Sequence, residues 1–72
     1  MANYNITMNN SLDDVSSEQF TNICKFLGGS FDGSDGKVFT LKGAAKKPEP
    51  RDVNNAFARE DIRFSCTDVK KV

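Results

Sequence analysis

The chain has 72 residues, its ten basic and ten acidic side chains give a net charge of zero, and it contains no histidine. This length predicts one domain, residues 1–72, with room for a single core layer but not for a deep, enclosed catalytic cleft. Histidine is the commonest metal ligand and a frequent general base, so its absence argues against both kinds of chemistry. The composition therefore predicts a protein that is not an enzyme, uses no cofactor or metal, and acts by binding.

The remaining global signals favour the cytoplasm. Residues 1–5 show neither the basic nor the apolar segment of a signal peptide, and no apolar run is long enough to span a membrane. Cys24 and Cys66 each fall within an apolar repeat, and no Cys-x-x-Cys pair is present. In a reducing compartment such cysteines behave as small buried hydrophobes. We expect two buried free thiols, a cytoplasmic location and no membrane partner.

Two elements are predicted in the first part of the chain. Residues 3–9 alternate between apolar and polar side chains, which is typical of a half-buried strand. Ser16 and Gln19 then form a capping box at the start of a helix predicted over residues 17–27. One face of this helix is apolar and consists of Phe20, Ile23, Cys24 and Leu27. Phe26 lies off that face, either as a flank of the core or as an exposed contact residue.

A hairpin is predicted over residues 30–41. Its turn lies at Asp32–Gly36, where two glycines can take the positive φ that a tight reversal needs. Alternation in the return arm predicts that Phe39 and Leu41 face the core. The following segment, residues 42–50, contains two prolines and is predicted to be a connection.

The last two elements have weaker patterns. Residues 50–59 are predicted to form a short helix. Its apolar face consists of Val53, Ala56 and Phe57. Residues 62–67 alternate and are predicted to be the last strand. The inward side chains of that strand are Ile62, Phe64 and Cys66. Residues 68–72 are predicted to fray.

The predicted order, β-α-β-β-α-β, corresponds to two interleaved β-α-β units. Right-handed crossovers then place both helices on one face of an antiparallel sheet, which predicts a small α+β, ferredoxin-like sandwich. The alternative is an α+β meander in which only the first helix is well formed. The predicted core consists of Ile6, Phe20, Ile23, Cys24, Leu27, Phe39, Leu41, Val53, Phe57, Ile62 and Phe64.

Two surfaces are candidate binding sites. The first is a basic connection that could contact phosphate groups, and it consists of Lys42, Lys46, Lys47 and Arg51. The second is the outer face of the sheet, rich in Asn, Thr and Ser, with the predicted members Asn3, Asn5, Thr7, Asn9, Thr40, Arg63, Ser65 and Thr67. Thr40 and Arg63 are the candidate partner contacts on that face. Residues 1–36 carry a net charge of −4 and residues 37–72 one of +4, because nine of the ten basic side chains lie in the second half, and this layout could steer a charged partner.

The first functional hypothesis is a cofactor-free protein that docks on a protein partner. Small inhibitors and adaptors have this size and style, including phage and mobile-element proteins that block host or defence machinery. The alternative is a module that binds nucleic acid or another phosphate ligand through residues 42–51. The neutral net charge and the lack of stacked aromatics in the predicted sheet favour the first hypothesis. A free edge strand in such a sheet would also permit a homodimer.

Overall fold

The computed structural model describes residues 1–72 and contains six elements in the predicted order. The strands are β1 (Ala2–Met8), β2 (Ser30–Asp35), β3 (Val38–Ala44) and β4 (Cys66–Lys71), and the helices are α1 (Ser17–Phe26) and α2 (Pro50–Ala58). The strands form one sheet in the order β2-β3-β1-β4, and every neighbouring pair is antiparallel. This order confirms the predicted ferredoxin-like α+β sandwich. The meander alternative is wrong, because α2 is formed and β1 lies between two strands that follow it in sequence.

α1 begins at the predicted capping box. The Oγ of Ser16 accepts a hydrogen bond from the N–H of Gln19 at 3.1 Å, and the Oε1 of Gln19 accepts one from the N–H of Ser16 at 3.0 Å. Two backbone donors that lack helical partners are thereby satisfied. The helix ends at Leu27, and Gly28, with a φ of 84°, takes the left-handed conformation that terminates it. The predicted helix over residues 17–27 is confirmed.

α2 is the shorter helix. Pro50 occupies its first turn, where the missing N–H of proline costs no helical hydrogen bond. The Oδ2 of Asp52 accepts a hydrogen bond from the N–H of Glu49 at 3.2 Å, which ties the first turn to the residue before it. The helix predicted over residues 50–59 is confirmed. Neither α1 nor α2 combines the length and the apolar character that crossing a membrane requires.

The core lies between the two helices and the inner face of the sheet. Phe39 of β3 is at its centre, with its ring centroid 5.6 Å from that of Phe20 on α1 and 5.7 Å from that of Phe57 on α2. The buried apolar side chains are Tyr4, Ile6, Met8, Leu12, Phe20, Ile23, Cys24, Phe39, Leu41, Ala44, Val53, Ala56, Phe57 and Val69. Three residues predicted for the core are only half-buried and pack against its rim, namely Leu27, Ile62 and Phe64.

The last strand lies later in the chain than predicted. Residues 62–65 are irregular, and β4 begins only at Cys66. Residues 68–71, which were expected to fray, pair with β1 instead. Val69 is the only buried residue of β4, so the strand has no alternation of apolar and polar side chains by which the sequence could identify it.

Two asparagine side chains decide where β4 starts. The Oδ1 of Asn9 accepts a hydrogen bond from the N–H of Ser65 at 2.9 Å, and the Oδ1 of Asn54 on α2 accepts one from the N–H of Cys66 at 2.7 Å. Both donors thus have partners outside the regular strand ladder. The regular pairing with β1 follows these two residues, and Val69 comes to lie opposite Ile6.

The hairpin is longer than predicted. The chain turns at residues 36–37 and not across Asp32–Gly36, because Gly36, with a φ of 64°, supplies the tight reversal alone. Gly33, with a φ of 102°, lies in a bulge that leaves extra residues of β2 opposite β3. β3 continues to Ala44, so residues 42–44 of the predicted connection belong to the sheet.

Candidate functional site

One face of the sheet carries no helix. Both helices pack on the other face, where Ile6, Phe39 and Leu41 are fully buried. Because side chains alternate along a strand, the neighbours of these residues lie on the uncovered side, which we call the open face. The open face consists of Asn3, Asn5, Thr7, Val38, Thr40, Lys42, Asp68 and Lys70, together with Asp32 and Asp35 of β2, which border Asn5, Val38 and Thr40. In the cross-strand register, Asn5 lies between Thr40 and Lys70.

Two asparagines of β1 are held in place by their side-chain oxygens. The Oδ1 of Asn3 accepts a hydrogen bond from the N–H of Gly43 at 2.9 Å, at a bulge of β3 where Gly43 has a φ of 71°. The Oδ1 of Asn5 accepts one from the hydroxyl of Thr40, also at 2.9 Å. With both oxygens occupied, the Nδ2 amino groups are left as donors on the open face. Asn3 and Asn5 are alternate residues of β1, so their backbone positions are ~6.8 Å apart and both amides lie on the same face.

The structure places only part of the predicted outer face on the open face. Thr40 lies there, as predicted, and Lys42 of the basic connection joins it. The predicted position of Arg63 is wrong, because this residue precedes β4 and borders α2 on the helix side. Its guanidinium pairs with Asp61 at 4.0 Å, and both side chains are almost fully exposed. The other predicted members outside the open face lie at the start of β4, and they are Asn9, Ser65 and Thr67.

The residues of the basic connection are all exposed, but they do not form one patch. Lys42 belongs to the open face, whereas Lys46 borders Phe26 on the helix side and Lys47 borders β4. Arg51 lies in the first turn of α2. All four residues lie near the same end of the sheet, at which β1 begins and β3 ends.

Charge is segregated along the strand direction. The end at which β1 begins, which we call the basic end, carries Lys25, Lys42, Lys46, Lys47, Arg51, Lys70 and Lys71, together with Glu49 and Asp52. The opposite end, which we call the hairpin end, carries Asp13, Asp14, Glu18 and Asp35, together with Lys37 and the Asp61–Arg63 pair. A hydrogen bond from the N–H of Leu12 to the carbonyl of Gly36, at 2.9 Å, ties the β1–α1 connection to the hairpin turn. The uneven charge of the sequence thus becomes a dipole along the sheet.

A second exposed feature lies on the helix side. Phe26, at the end of α1, is 47% exposed, and the guanidinium of Arg59 lies 4.9 Å from the centroid of its ring. This is the geometry of a cation–π contact. Of the two predictions made for Phe26, the exposed contact residue is therefore the correct one, and the flank of the core is not. The partnership with Arg59 joins α1 to the end of α2, and no local sequence pattern could have revealed it.

The two cysteines are free thiols in different surroundings. Cys24 is fully buried on α1, and desolvation by burial raises its pKa from an ordinary value of 9.0 to about 12. Cys66 is half-buried, not buried as predicted, and burial is the main cause that raises its pKa as well. Since the thiolate is the nucleophilic form, both thiols are weak nucleophiles in the folded protein.

Cys24 should therefore react with a thiol reagent far more slowly in the native protein than in denaturant, and Cys66 should react before it. The unfolded thiol ionises near 9.0, whereas the folded thiol of Cys24 stays neutral up to about 12. The free energy of unfolding should consequently fall as the pH rises above 9.0, and Cys24→Ala should remove part of that fall. Denaturation of both proteins across this range, with mass spectrometry of the labelled thiols, checks the expectation. Rapid native labelling of Cys24 would contradict its burial.

The open face offers hydrogen bonding and ion pairing. Its side chains are amides, hydroxyls, three carboxylates and two ammonium groups beside a single valine. No group of three or more Cys, Asp or Glu side chains comes close enough together to hold a metal ion. In comparisons with known proteins, the chain matches no family model, no curated protein and no solved structure.

Proposed function

We propose that the protein acts by binding another protein through the open face, without catalysis of its own. The observation that supports this most is the pair of amides on β1, whose oxygens accept hydrogen bonds from Gly43 and Thr40 while their amino groups have no partner within the fold. Side chains that are already ordered lose little conformational entropy when a partner binds. A flat surface of fixed donors is therefore suited to docking.

The chemistry of the open face also indicates what the partner presents. Free amino groups of Asn3 and Asn5 require acceptors, such as carbonyl or carboxylate oxygens. Lys42 and Lys70 lie on the same face towards the basic end, while Asp35 and Asp68 lie towards the hairpin end. We infer a partner whose contact surface is rich in acceptors and carries charges of the opposite arrangement. Electrostatic complementarity of this kind raises the association rate and selects the orientation.

An inhibitor or adaptor in the cytoplasm fits this mode of action. Small phage and mobile-element proteins that act as inhibitors have a similar length and also lack cofactors. The two free thiols support the cytoplasm, where cysteines remain reduced. Such a protein works by occupying a surface of its partner, so it needs only a stable fold and one rigid contact face.

A nucleic-acid or phosphate ligand is the second candidate. The observation in its favour is the basic end, where the sheet gathers lysines that are dispersed in the sequence. Against it, Lys46 and Lys47 border different concavities, and the open face carries no aromatic side chain on which bases could stack.

The docking proposal is tested with Asn5→Asp. This change keeps an oxygen that can accept the hydroxyl of Thr40 but replaces the outward amino group with a second oxygen, so the surface loses its donor without losing its shape. Asn55→Asp, at an exposed position of α2, is the matched control because it introduces the same charge in the helical layer. The full chain and each variant are immobilised, exposed to an extract of the source cells, and the dissociation of the captured protein is followed.

Asn5→Asp and Thr40→Ala should each raise the dissociation rate, for Asn5→Asp by roughly tenfold, whereas Asn55→Asp should behave like the wild type. Arg63→Ala, a change away from the open face, should also leave dissociation unchanged. Loss of the partner by Phe26→Ala, with the open-face variants still binding, would move the docking site to the helix side and contradict the proposal.

The same proteins separate the two candidate functions. With a single-stranded oligonucleotide as probe, phosphate binding would weaken steeply with added salt and would be abolished by charge reversal of Lys46 and Lys47. We expect no such binding near physiological salt. Micromolar, salt-sensitive binding of the oligonucleotide that is lost in the Lys46→Glu, Lys47→Glu double variant would favour the second candidate.

A further inference from the structure

β4 forms an open edge of the sheet. Its register with β1, extended by the hydrogen bond from the N–H of Val72 to the carbonyl of Asn3 at 2.9 Å, points the backbone groups of residues 68, 70 and 72 towards β1. The N–H and C=O groups of Val69 and Lys71 therefore point away from the sheet. Thr67, Asp68 and Val69 line a concavity of about 440 Å³ whose other wall is the Lys47–Pro50 segment, so solvent reaches this part of the edge.

We propose that a second copy of the chain pairs with this edge, β4 against β4 in antiparallel orientation, with Val69 on the two-fold axis. In this register the free N–H of Val69 donates to the carbonyl of Val69 in the second copy, and the reverse bond forms by symmetry. The two sheets join into one of eight strands. The inference does not depend on the proposed function, because it is argued from the backbone groups at the edge of the sheet, although Asp68 and Lys70 of the open face also take part in the interface.

Charge complementarity supports this register. With Val69 on the axis, Asp68 lies directly opposite Lys70 of the second copy, and the same pair recurs on the other side of the axis. Asp68 and Lys70 both lie on the open face, opposite Thr7 and Asn5 of β1. Their position in the β4–β4 pair is a non-hydrogen-bonded one, at which opposing side chains approach most closely. Each interface thus contains two cross-strand ion pairs.

Neighbouring registers are disfavoured by the same side chains. Moving the axis by one residue in one direction places Asp68 opposite Asp68 of the second copy. Moving it by one residue in the other direction places Lys70 opposite Lys70 of the second copy. Like charges directly opposite each other destabilise a strand pair, so the sequence of β4 selects the register with Val69 on the axis.

The charge distribution of the whole domain favours the same orientation. Antiparallel pairing of β4 sets the basic end of one copy beside the hairpin end of the other, so that the two dipoles are opposed. The other edge of the sheet, β2, is less suitable. Its ladder is interrupted in the middle by the bulge at Gly33, whereas the bulge of β4 lies at the start of that strand, between Cys66 and Asp68. In addition, Asp32 and Asp35 give β2 a single sign of charge.

The first test is sedimentation equilibrium of the full chain from roughly 10 µM to 1 mM, since an interface of two edge strands is small and its affinity correspondingly weak. We expect a monomer–dimer equilibrium. Amide hydrogen exchange reports the register, because the exchange of Val69 and Lys71 should slow as the concentration rises. The amide of Lys70, bonded to β1 in each copy, should change far less.

A charge swap gives the sharper result. Asp68→Lys alone places two ammonium groups opposite each other, and Lys70→Asp alone places two carboxylates opposite each other, so each variant should weaken its own dimer by roughly tenfold or more. When the two variants are mixed, the two lysines of one chain lie opposite the two aspartates of the other. The heterodimer should therefore be more stable than either homodimer and should predominate. Lys71→Asp is the matched control, because it makes the same charge change as Lys70→Asp at a position that does not face Asp68.

Circular dichroism of each variant establishes that the fold is retained. The mixing experiment adds an internal control, because two unfolded variants could not restore a dimer when combined. A wild type that stays monomeric up to the highest concentration would overturn the proposal. So would a dimer that is insensitive to both single reversals, or exchange protection that appears in β2 and not at Val69.

Discussion

Phe39→Ala should lower the free energy of unfolding by about 3–5 kcal/mol. The ring of Phe39 is fully buried and contacts Phe20 and Phe57, which belong to the two helices, so its removal opens a cavity where all layers of the core meet. A chain of this length has a total stability of roughly 4–11 kcal/mol. The variant should therefore be close to unfolding at room temperature, and urea denaturation followed by circular dichroism measures the loss.

Phe26→Ala is the matched control for this prediction, since it removes the same side chain from an exposed position. The variant loses the contact with Arg59, which contributes about 0.5–1 kcal/mol at an exposed site, and the packing of a ring that is 47% exposed, so its loss should be well below that of Phe39→Ala. Equal losses for the two variants would mean that Phe39 is not at the centre of the core.

Val69→Asp should also be severely destabilising, by several kcal/mol. Val69 is 8% exposed and lies opposite Ile6, so the substitution places a carboxylate against the apolar face of β1, with no cationic side chain among its core neighbours. The measurement is again urea denaturation, at a protein concentration in the low micromolar range so that dimerisation does not contribute.

Lys71→Asp, two residues further along the same strand, is the control, because Lys71 is exposed and its replacement should change the stability by less than about 0.5 kcal/mol. The comparison tests the position of the last strand directly. If both variants were as stable as the wild type, residues 68–72 would fray as the sequence pattern predicts, and β4 would not extend to Lys71.

Much of the fold could be predicted because the signals are local. The start of α1 depends on the capping box of Ser16 and Gln19, which lie three residues apart. The direction of the side chains in β1 follows from simple alternation, and the reversal into β3 needs only the glycine of a two-residue turn. Once these elements and their order are known, the rule that β-α-β crossovers are right-handed leaves few possible arrangements of the sheet. The predicted ferredoxin-like arrangement is one of these.

The candidate site was only partly predictable for the same reason. The alternation of β3 suffices to place Thr40 on the outer face, whereas the predicted position of Arg63 is wrong because the last strand begins only at Cys66. The amides of Asn3 and Asn5 appeared in the sequence as ordinary solvated side chains. Nothing in the pattern of β1 indicates that their oxygens have partners and that their amino groups do not.

By itself, then, the sequence determined the elements whose stabilising interactions join residues within one turn of helix or one hairpin. The tertiary structure alone decided the limits of β4 and the donors of the open face. The hydrogen bonds that produce them join residues 35, 40 and 56 positions apart, namely Thr40 to Asn5, Gly43 to Asn3 and Ser65 to Asn9. Such bonds form only after the sheet has brought distant segments together, and neither periodicity nor propensity within one segment can indicate them.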